Sequence, residues 1–418
     1  MYTLFKNNKT KNLITTIDVG SSKITCLIGE KSKTKNGYKI IGNSQNICRG
    51  FKQGNVIDIL ELSDSIGNAI SSAEKMAGKS INKVNVVLNG GKQFSTKFKS
   101  ETKIVNGEIT DNEIQKIMSS CIHDATASNF KLLHAIPIRF QIDNSTSITN
   151  PKGMVGHTLK GEVNICKINE SVLSNISRVI ERNHIEVERF ISSSYANGFS
   201  CLAEDEKNIG CVLIDLGSSS TSVGIFCNNN LIYSFDLPIG GFNITRDIAS
   251  GLATTFLEAE RIKVLHANLY NSSFSSNEQI NIANIEENSS NTFQTVSLDI
   301  INEIIKARIT EIFELIQKQI NNTPYLHLLN SKVVFTGGSS QITGLSDLSS
   351  KFLSKHTRLA KPRRIEGLPD AACNANFASV IGAFLSMQEQ PLIQNNFVNL
   401  NENLNSFQKF YKWMATNV

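Results

Sequence analysis

The feature that most constrains this chain is a turn that occurs twice. Leu13–Gly20 is an apolar run that closes on Asp18-Val19-Gly20-Ser21-Ser22, and Lys23–Ile28 follows at once. Later, Cys211–Leu216 closes on Asp215-Leu216-Gly217-Ser218-Ser219-Ser220-Thr221, followed by Ser222–Phe226, an Asn turn at Asn228–Asn230, and Leu231–Asp236. Apolar, β-rich runs on both sides of a Gly/Ser turn predict hairpins. The repeat is of a functional turn, not of a solenoid period.

Such a turn suits an anion. Gly20 and Gly217 are expected to turn with positive φ and to let a phosphate approach closely. The N–H groups of Ser21, Ser22 and Lys23, and of Ser218, Ser219, Ser220 and Thr221, can converge as a nest. Lys23 adds a positive charge. Asp18 and Asp215, at strand ends, are placed to hold the waters of a Mg²⁺ ion, which keeps most of its hydration shell. One copy would be an ordinary tight turn. Two copies in the same strand context, with a third strand, Lys332–Thr336, ending in Gly337-Gly338-Ser339, argue for a clamp on a triphosphate. Neither the Walker pattern nor a G-x-G-x-x-G after a strand is present, so the site is of another kind.

Between these turns the periodicity predicts helices over Ile57–Ala77, Asp111–Ala127, Ser171–Asn183 and Leu298–Ile320, with Ile301, Ile305, Ile309 and Ile312 facing inward in the last. Lys83–Leu88 reads as a buried strand that stops at Asn89-Gly90-Gly91, and Lys92–Gly161 as an inserted subdomain. The Asn/Ser-rich stretch Asn271–Ser297 reads as a surface loop or hairpin. Composition removes other classes. With 40% apolar and 19% charged residues among 418, disorder, collagen and a disulfide scaffold are excluded. Eight cysteines without a C-x-x-C pair, several in apolar contexts (Cys26, Cys201, Cys211, Cys227), fit core positions in a reducing compartment. Seven histidines without H-x-x-x-H spacing give no protein-ligated metal. The chain shows no signal-peptide pattern and no spanning apolar run, so a soluble, cytoplasmic protein is expected. The net charge of +5 is too diffuse to argue for nucleic acid.

The tail qualifies that expectation. In LNSFQKFYKWM, helical spacing puts Leu404, Phe407, Phe410, Tyr411 and Met414 on one face, Trp413 at its edge, and Lys409 and Lys412 opposite. Such a helix is too short to cross a bilayer but suits an anionic lipid interface. Docking on the protein's own core is the other reading of the same pattern.

These motifs, in this order, resemble the actin, sugar-kinase and heat-shock chaperone superfamily. Within it the chain is similar to the bacterial FtsA family of cell-division proteins. The likeness lies in Ile17–Glu30 and Leu202–Thr221 (the two phosphate motifs), Pro238–Gly241 with Glu260 and Lys263, Val333–Leu345 (the adenosine motif), and Leu133–Asp143 with Asn150–Gly156 (an extra subdomain, 1C). It implies an actin-like two-lobe α/β ATPase fold with a duplicated, ribonuclease H-like core, an inserted 1C and a C-terminal amphipathic helix. The implied division is 1–83, 163–205 and 377–390 for subdomain 1A, 84–162 for 1C, 206–258 and 331–376 for 2A, 259–330 for 2B, 391–403 for a linker, and 404–418 for a membrane helix. It further implies ATP and Mg²⁺ in a cleft between the lobes. Gly240, Gly241, Glu260 and Lys263 would form the pocket floor and ribose contacts, and Gly338 and Ser339 would lie near adenine, with Gly337 among the nucleotide-binding residues.

No catalytic residue stands out. Where actin-like hydrolases carry a water-orienting Gln or Glu, this chain has Tyr195–Leu202, with Asn197 as the one amide. Asn is no general base at neutral pH, and Asp18 and Asp215 would be shared with the metal. Glu204, Asp205 and Glu206 read as an exposed helix end. ATP binding with slow or negligible hydrolysis is the expectation. The resemblance also implies partners: the C-terminal peptide of the tubulin-like protein FtsZ, further copies of this chain in a filament, later division proteins, and anionic membrane lipid at the division site. The peptide's surface would fall in Glu260–Asn330, where Lys306, Arg308 and Lys318 are candidates, unless they form an ordinary solvated face with Glu303, Glu311 and Glu314. Two other readings stay open: the related adaptor of type IV pilus assembly, and a sugar-kinase-like phosphotransferase.

Overall fold

A computed structural model describes residues 13–32, 37–105, 107–126, 129–143, 145, 147–270, 278–283, 293–325 and 332–389. The expected linker and membrane helix, with Leu404, Phe407, Lys409, Phe410, Tyr411, Lys412, Trp413 and Met414, lie outside the described residues.

The chain opens with strands β1 (Leu13–Val19), β2 (Lys23–Lys31) and β3 (Tyr38–Ile47), a small hairpin of β4 (Phe51–Lys52) and β5 (Asn55–Val56), helix α1 (Ile59–Ala77) and strand β6 (Lys83–Leu88). Local chemistry sets the ends of α1: Asp58 accepts from Leu60 N and Glu61 N, and Gly78 closes the helix in the left-handed region. Its Leu62, Ile66, Ala69, Ile70 and Ala73 are buried. Next come β7 (Phe94–Lys103), α2 (Asp111–Ala125), β8 (Phe130–Ile142) and β9 (Thr158–Asn169), then α3 (Glu170–Glu181), β10 (Glu186–Ser192) and α4 (Ser193–Cys201). The second half runs α5 (Glu204–Ile209), β11 (Cys211–Leu216), β12 (Thr221–Cys227), β13 (Asn230–Leu237), α6 (Gly241–Gly251) and α7 (Phe256–His266). The hairpin β14 (Gln279–Ala283) and β15 (Phe293–Ser297) follows, then α8 (Leu298–Asn321), β16 (Lys332–Thr336), α9 (Leu345–Leu353), β17 (His356–Leu359) and α10 (Ala378–Glu389).

The first sheet has the order β10-β6-β1-β2-β3 and the second β17-β16-β11-β12-β13-β7-β9-β8. Their first five strands correspond one for one. β1 and β11 each pair antiparallel with the strand that follows and parallel with β6 or β16. The duplication expected from two turns is thus a duplication of a whole sheet. Both sheets are nearly apolar on the strands that flank the turns, as parallel strands covered on both faces must be.

Two boundaries need correction. β6 lies inside the first sheet, between β10 and β1, so the insertion starts after Leu88 and not at residue 84. β9 runs on to Asn169, past the expected end at residue 162. The insertion packs α2 on one face of β7, β8 and β9 around Ile117, Phe140, Val163 and Ile165, and Phe94 pairs with Phe235 to join it to the second sheet. His134 ties it to the first lobe: its Nε2 accepts from Ser192 N at 2.9 Å and its ring stacks on Tyr195. Among the described residues no helix is long and apolar enough to cross a membrane.

Candidate functional site

The two repeated turns are built alike. Gly20 N donates to Lys23 O at 3.1 Å, and Gly217 N donates to Ser220 O at 3.0 Å. A Cβ on Gly20 would stand 2.8 Å from Lys23 O, and one on Gly217 would stand 2.8 Å from Ser220 O. Neither glycine has positive φ, so the reason expected from the sequence is wrong. Glycine is required here by the close return of the backbone, not by left-handed geometry. The third turn does need that geometry: Gly337 has φ 88°, and a Cβ there would meet Asp215 Oδ1 at 2.3 Å.

The turns face one cavity of about 510 Å³. Of the residues predicted from the sequence, Asp18, Gly20, Ser21, Ser22, Lys23, Asp215, Gly217, Ser218, Ser219, Ser220, Glu260, Lys263, Gly337, Gly338 and Ser339 line it. Thr221, Gly240 and Gly241 stand behind that surface and hold it. Gly241 N and Phe242 N, at the start of α6, donate to Gly217 O and Ser218 O at 2.9 and 2.6 Å, and Ser339 Oγ donates to Gly217 O at 3.0 Å. Thr221 Oγ1 donates to Ile239 O at 2.7 Å. Lys263 Nζ reaches Glu260 Oε2 at 2.7 Å, Thr245 Oγ1 at 2.9 Å and Gly241 O at 3.2 Å. Its charge is therefore already matched.

Two carboxylates sit at the strand ends. Burial pushes Asp18 up to about 8, helped by the charge of Asp215 and opposed by a hydrogen bond from Asn89 Nδ2. Burial also raises Asp215, against hydrogen bonds from Asn197 and Ser379. A pair that resists ionisation when bare is stabilised in its charged form by a cation. The donors are hard oxygens, and no cluster of three or more metal-ligating side chains occurs among the described residues. That set fits Mg²⁺ held by two carboxylates through its own waters and does not fit a protein cage.

Residues 212–382 match the family described as "Cell division protein FtsA", and residues 90–167 match "SHS2 domain inserted in FTSA". The chain is 31% identical over 355 residues to the cell division protein FtsA of Bacillus subtilis (strain 168), covering 84% of this chain and 79% of that one. The chain belongs to the FtsA family of cell-division proteins. The FtsA of Rhizobium meliloti (strain 1021) is 27% identical over 390 residues, 91% of this chain and 88% of its own. Among solved structures, the PilM–PilN type IV pilus biogenesis complex (TM-score 0.64, covering 90% of this chain and 99% of that one) and MreB5 of Spiroplasma citri bound to ADP (TM-score 0.55, 90% and 96%) are similar, each at 12% identity. At that identity they show the actin-like fold alone. Sequence decides for the division family over the pilus one.

In this FtsA-family chain the inserted domain has the strand–helix–strand–strand order β7-α2-β8-β9. The lobes meet at the two serine turns. Ser219 Oγ donates to Ser21 Oγ at 2.5 Å and accepts from Gln53 N at 2.8 Å, and Gln53 Nε2 donates to Pro238 O at 2.7 Å. Sequence reasoning did not assign Gln53, Asn89 or Ser379. A signal existed for two of them: Gln53-Gly54-Asn55 is a tight-turn sequence, and Asn89 heads the Gly-Gly turn at the end of β6, where open sheets place ligand groups.

Three expected roles change. Asn197 is fully buried and donates to Asp215 Oδ2 at 2.8 Å, so its amide holds the carboxylate from behind. Glu206 is no exposed helix end. Burial would raise it, but Arg358 and Lys332 hold it at about 2, with Arg358 bidentate at 2.7 and 2.5 Å and Lys332 at 2.7 Å. Glu204 and Asp205 are exposed as expected. Arg308 is engaged by Asp247 of α6 at 2.5 and 3.0 Å and by Glu311 of its own helix, which leaves it already matched; Lys318 is exposed.

Proposed function

We propose that this FtsA-family chain binds ATP with Mg²⁺ in the cleft between its lobes, assembles into filaments on the inner face of the cytoplasmic membrane, and tethers the FtsZ ring there while recruiting later division proteins. The single observation that carries the nucleotide reading is the pair of matched turns facing one cavity, with Asp18 and Asp215 at its base. Ser21, Ser22, Ser218 and Ser219 would bind phosphate oxygens, and Lys23 would meet their charge. Glu260 and Lys263 would flank the ribose, with Gly337, Gly338 and Ser339 beside the base. Mg²⁺, when bound, supplies charge neutralisation at the phosphates; Asp18 and Asp215 would hold its waters. Asp18 and Asp215 would be shared with the metal and no other described residue of the site is placed as a strong general base, so phosphate release below roughly 1 per second is expected.

Solved relatives of the fold bound to ADP and AMPPNP support the nucleotide reading. The membrane reading rests on the tail. Lys409 and Lys412 would contribute roughly 1 kcal/mol each at an anionic surface, which is weak for one copy and strong for a row of copies. Isothermal titration with ATP tests the first reading: saturable, Mg²⁺-strengthened binding is expected, and absence of binding refutes it. Removing Phe407–Val418 tests the second. Co-sedimentation with vesicles containing anionic lipid should be lost while ATP binding is kept, and equal sedimentation of the truncated chain refutes it.

A further inference from the structure

Three elements meet behind Asp215, at the end of β11. Asn197 comes from α4, all nine of whose residues are buried. Ser379 is the second residue of α10 and lines the cavity, as Asp215 does. Asn197 Nδ2 donates to Asp215 Oδ2 at 2.8 Å, and Ser379 Oγ lies 3.2 Å from that same oxygen and 3.2 Å from Asn197 Oδ1. The hydroxyl thus has one proton and two acceptors within reach. Asp215 Oδ1 is left on the side of Gly337, where a Cβ would touch it at 2.3 Å.

The helices that carry these two residues are fixed against each other. A Cβ on Gly382, one turn beyond Ser379, would stand 1.9 Å from the carbonyl oxygen of Ala196, the residue before Asn197. The backbones meet there with no side chain between them, so the distance from Ser379 to Asn197 is set by a rigid crossing. An aspartate left alone rotates about a broad, two-fold torsion. Two groups on one oxygen remove that freedom and decide which oxygen faces the cleft.

We propose that Asn197 and Ser379 are positioning residues for Asp215: they grip Oδ2 from two helices and so present Oδ1 to the hydrated divalent cation of the bound nucleotide. This rests on the ATP and Mg²⁺ reading above. Ser379, which carries no other assignment, is the part that can be tested with least damage, because alanine is smaller and favours a helix.

The test uses the full chain and the ratio of the ATP dissociation constants measured in EDTA and in excess Mg²⁺. Ser379→Ala and the nearly isosteric Ser379→Cys should lower that ratio about 10-fold or more, the usual effect of removing a group that orients a metal ligand. Ser379→Thr keeps the hydroxyl and should keep the ratio. Affinity in EDTA and the melting temperature without nucleotide should stay at the wild-type values in all three. An unchanged ratio in Ser379→Ala and Ser379→Cys overturns the proposal. So does an equal loss of affinity in EDTA and in Mg²⁺ with a lowered melting temperature, which marks a structural role. Wild-type protein that binds no ATP refutes the nucleotide reading itself, and that outcome is read without any variant.

Discussion

Replacing Glu206 by Gln isolates one ion cluster and asks what it does for the site. Glu206 lies on the short helix α5, and its side chain is 11% exposed. It receives Arg358 from β17 and Lys332 from the start of β16, the strand that ends at Thr336 beside Gly337. The fall of its pKa from 4.5 to about 2 is worth about 3 kcal/mol at 1.36 kcal/mol per unit. Lys332 and Arg358 keep 41% and 31% of their side chains in solvent, and screening brings the expected loss to about 2 kcal/mol. Because the folded-state pKa lies below the unfolded one, this stability is present above about pH 4.5 and is lost as pH falls through about 2. Thermal unfolding of Glu206→Gln at pH 7 should therefore come about 4–8 °C early, and the gap to wild type should close as pH falls toward 2. A melting temperature within a degree of wild type at pH 7 would refute the reasoning. A gap that persists unchanged at low pH would refute the electrostatic part of it.

Two further perturbations probe the turns. Gly337→Ala places a methyl 2.3 Å from Asp215 Oδ1 in a residue with φ 88°; a loss of about 3 kcal/mol is expected from overpacking and left-handed strain together, with the Mg²⁺-dependent gain in ATP affinity lost as well, read by calorimetry. Ser219→Ala removes the hydroxyl shared by Ser21 and Gln53 N; about 1–2 kcal/mol of interlobe contact should go, seen as roughly 10-fold faster hydrogen exchange at the Gln53 amide.

What could be read in advance divides by the range of the interaction. Strands such as Cys211–Leu216 and the turns that end them are short-range facts: an apolar run stops where Gly and Ser begin. The helix Leu298–Asn321 follows from isoleucines at helical spacing. Of the predicted residues that line the cavity, all but Glu260 and Lys263 lie within these turns, because the chemistry of a turn is local. The positions missed are set by contacts across the fold. Glu206 meets Arg358 from a strand at the far edge of the sheet, and nothing near Glu206 in sequence separates it from its exposed neighbours Glu204 and Asp205. Asn197 looked like the one amide available to a water; only the position of α4 against β11 makes it a partner of Asp215. A glycine turn predicts a positive φ at Gly20, whereas the carbonyl of Lys23 is what excludes a side chain.

The two lobes repeat a geometry without repeating its chemistry. The Gly20–Lys23 and Gly217–Ser220 bonds, the 2.8 Å approaches and the sheet orders match, yet a lysine stands in the first turn where the second has a serine. The first turn is the open one: Ser22 and Lys23 are exposed, and Ser22 O accepts from Cys48 N. In the second, Ser219 and Ser220 are buried, and the carbonyls of Gly217 and Ser218 are held by α6 and Ser339. The second lobe's nearby cation, Lys263, is already matched by Glu260. On the nucleotide reading proposed above, positive charge for a polyphosphate would come from Lys23 and from a cation at Asp18 and Asp215, while the second lobe would supply preformed donors. A rigid donor surface loses little entropy on binding, and an exposed lysine can follow the ligand in. One duplicated fold therefore pairs a held donor surface in the second turn with an exposed lysine in the first.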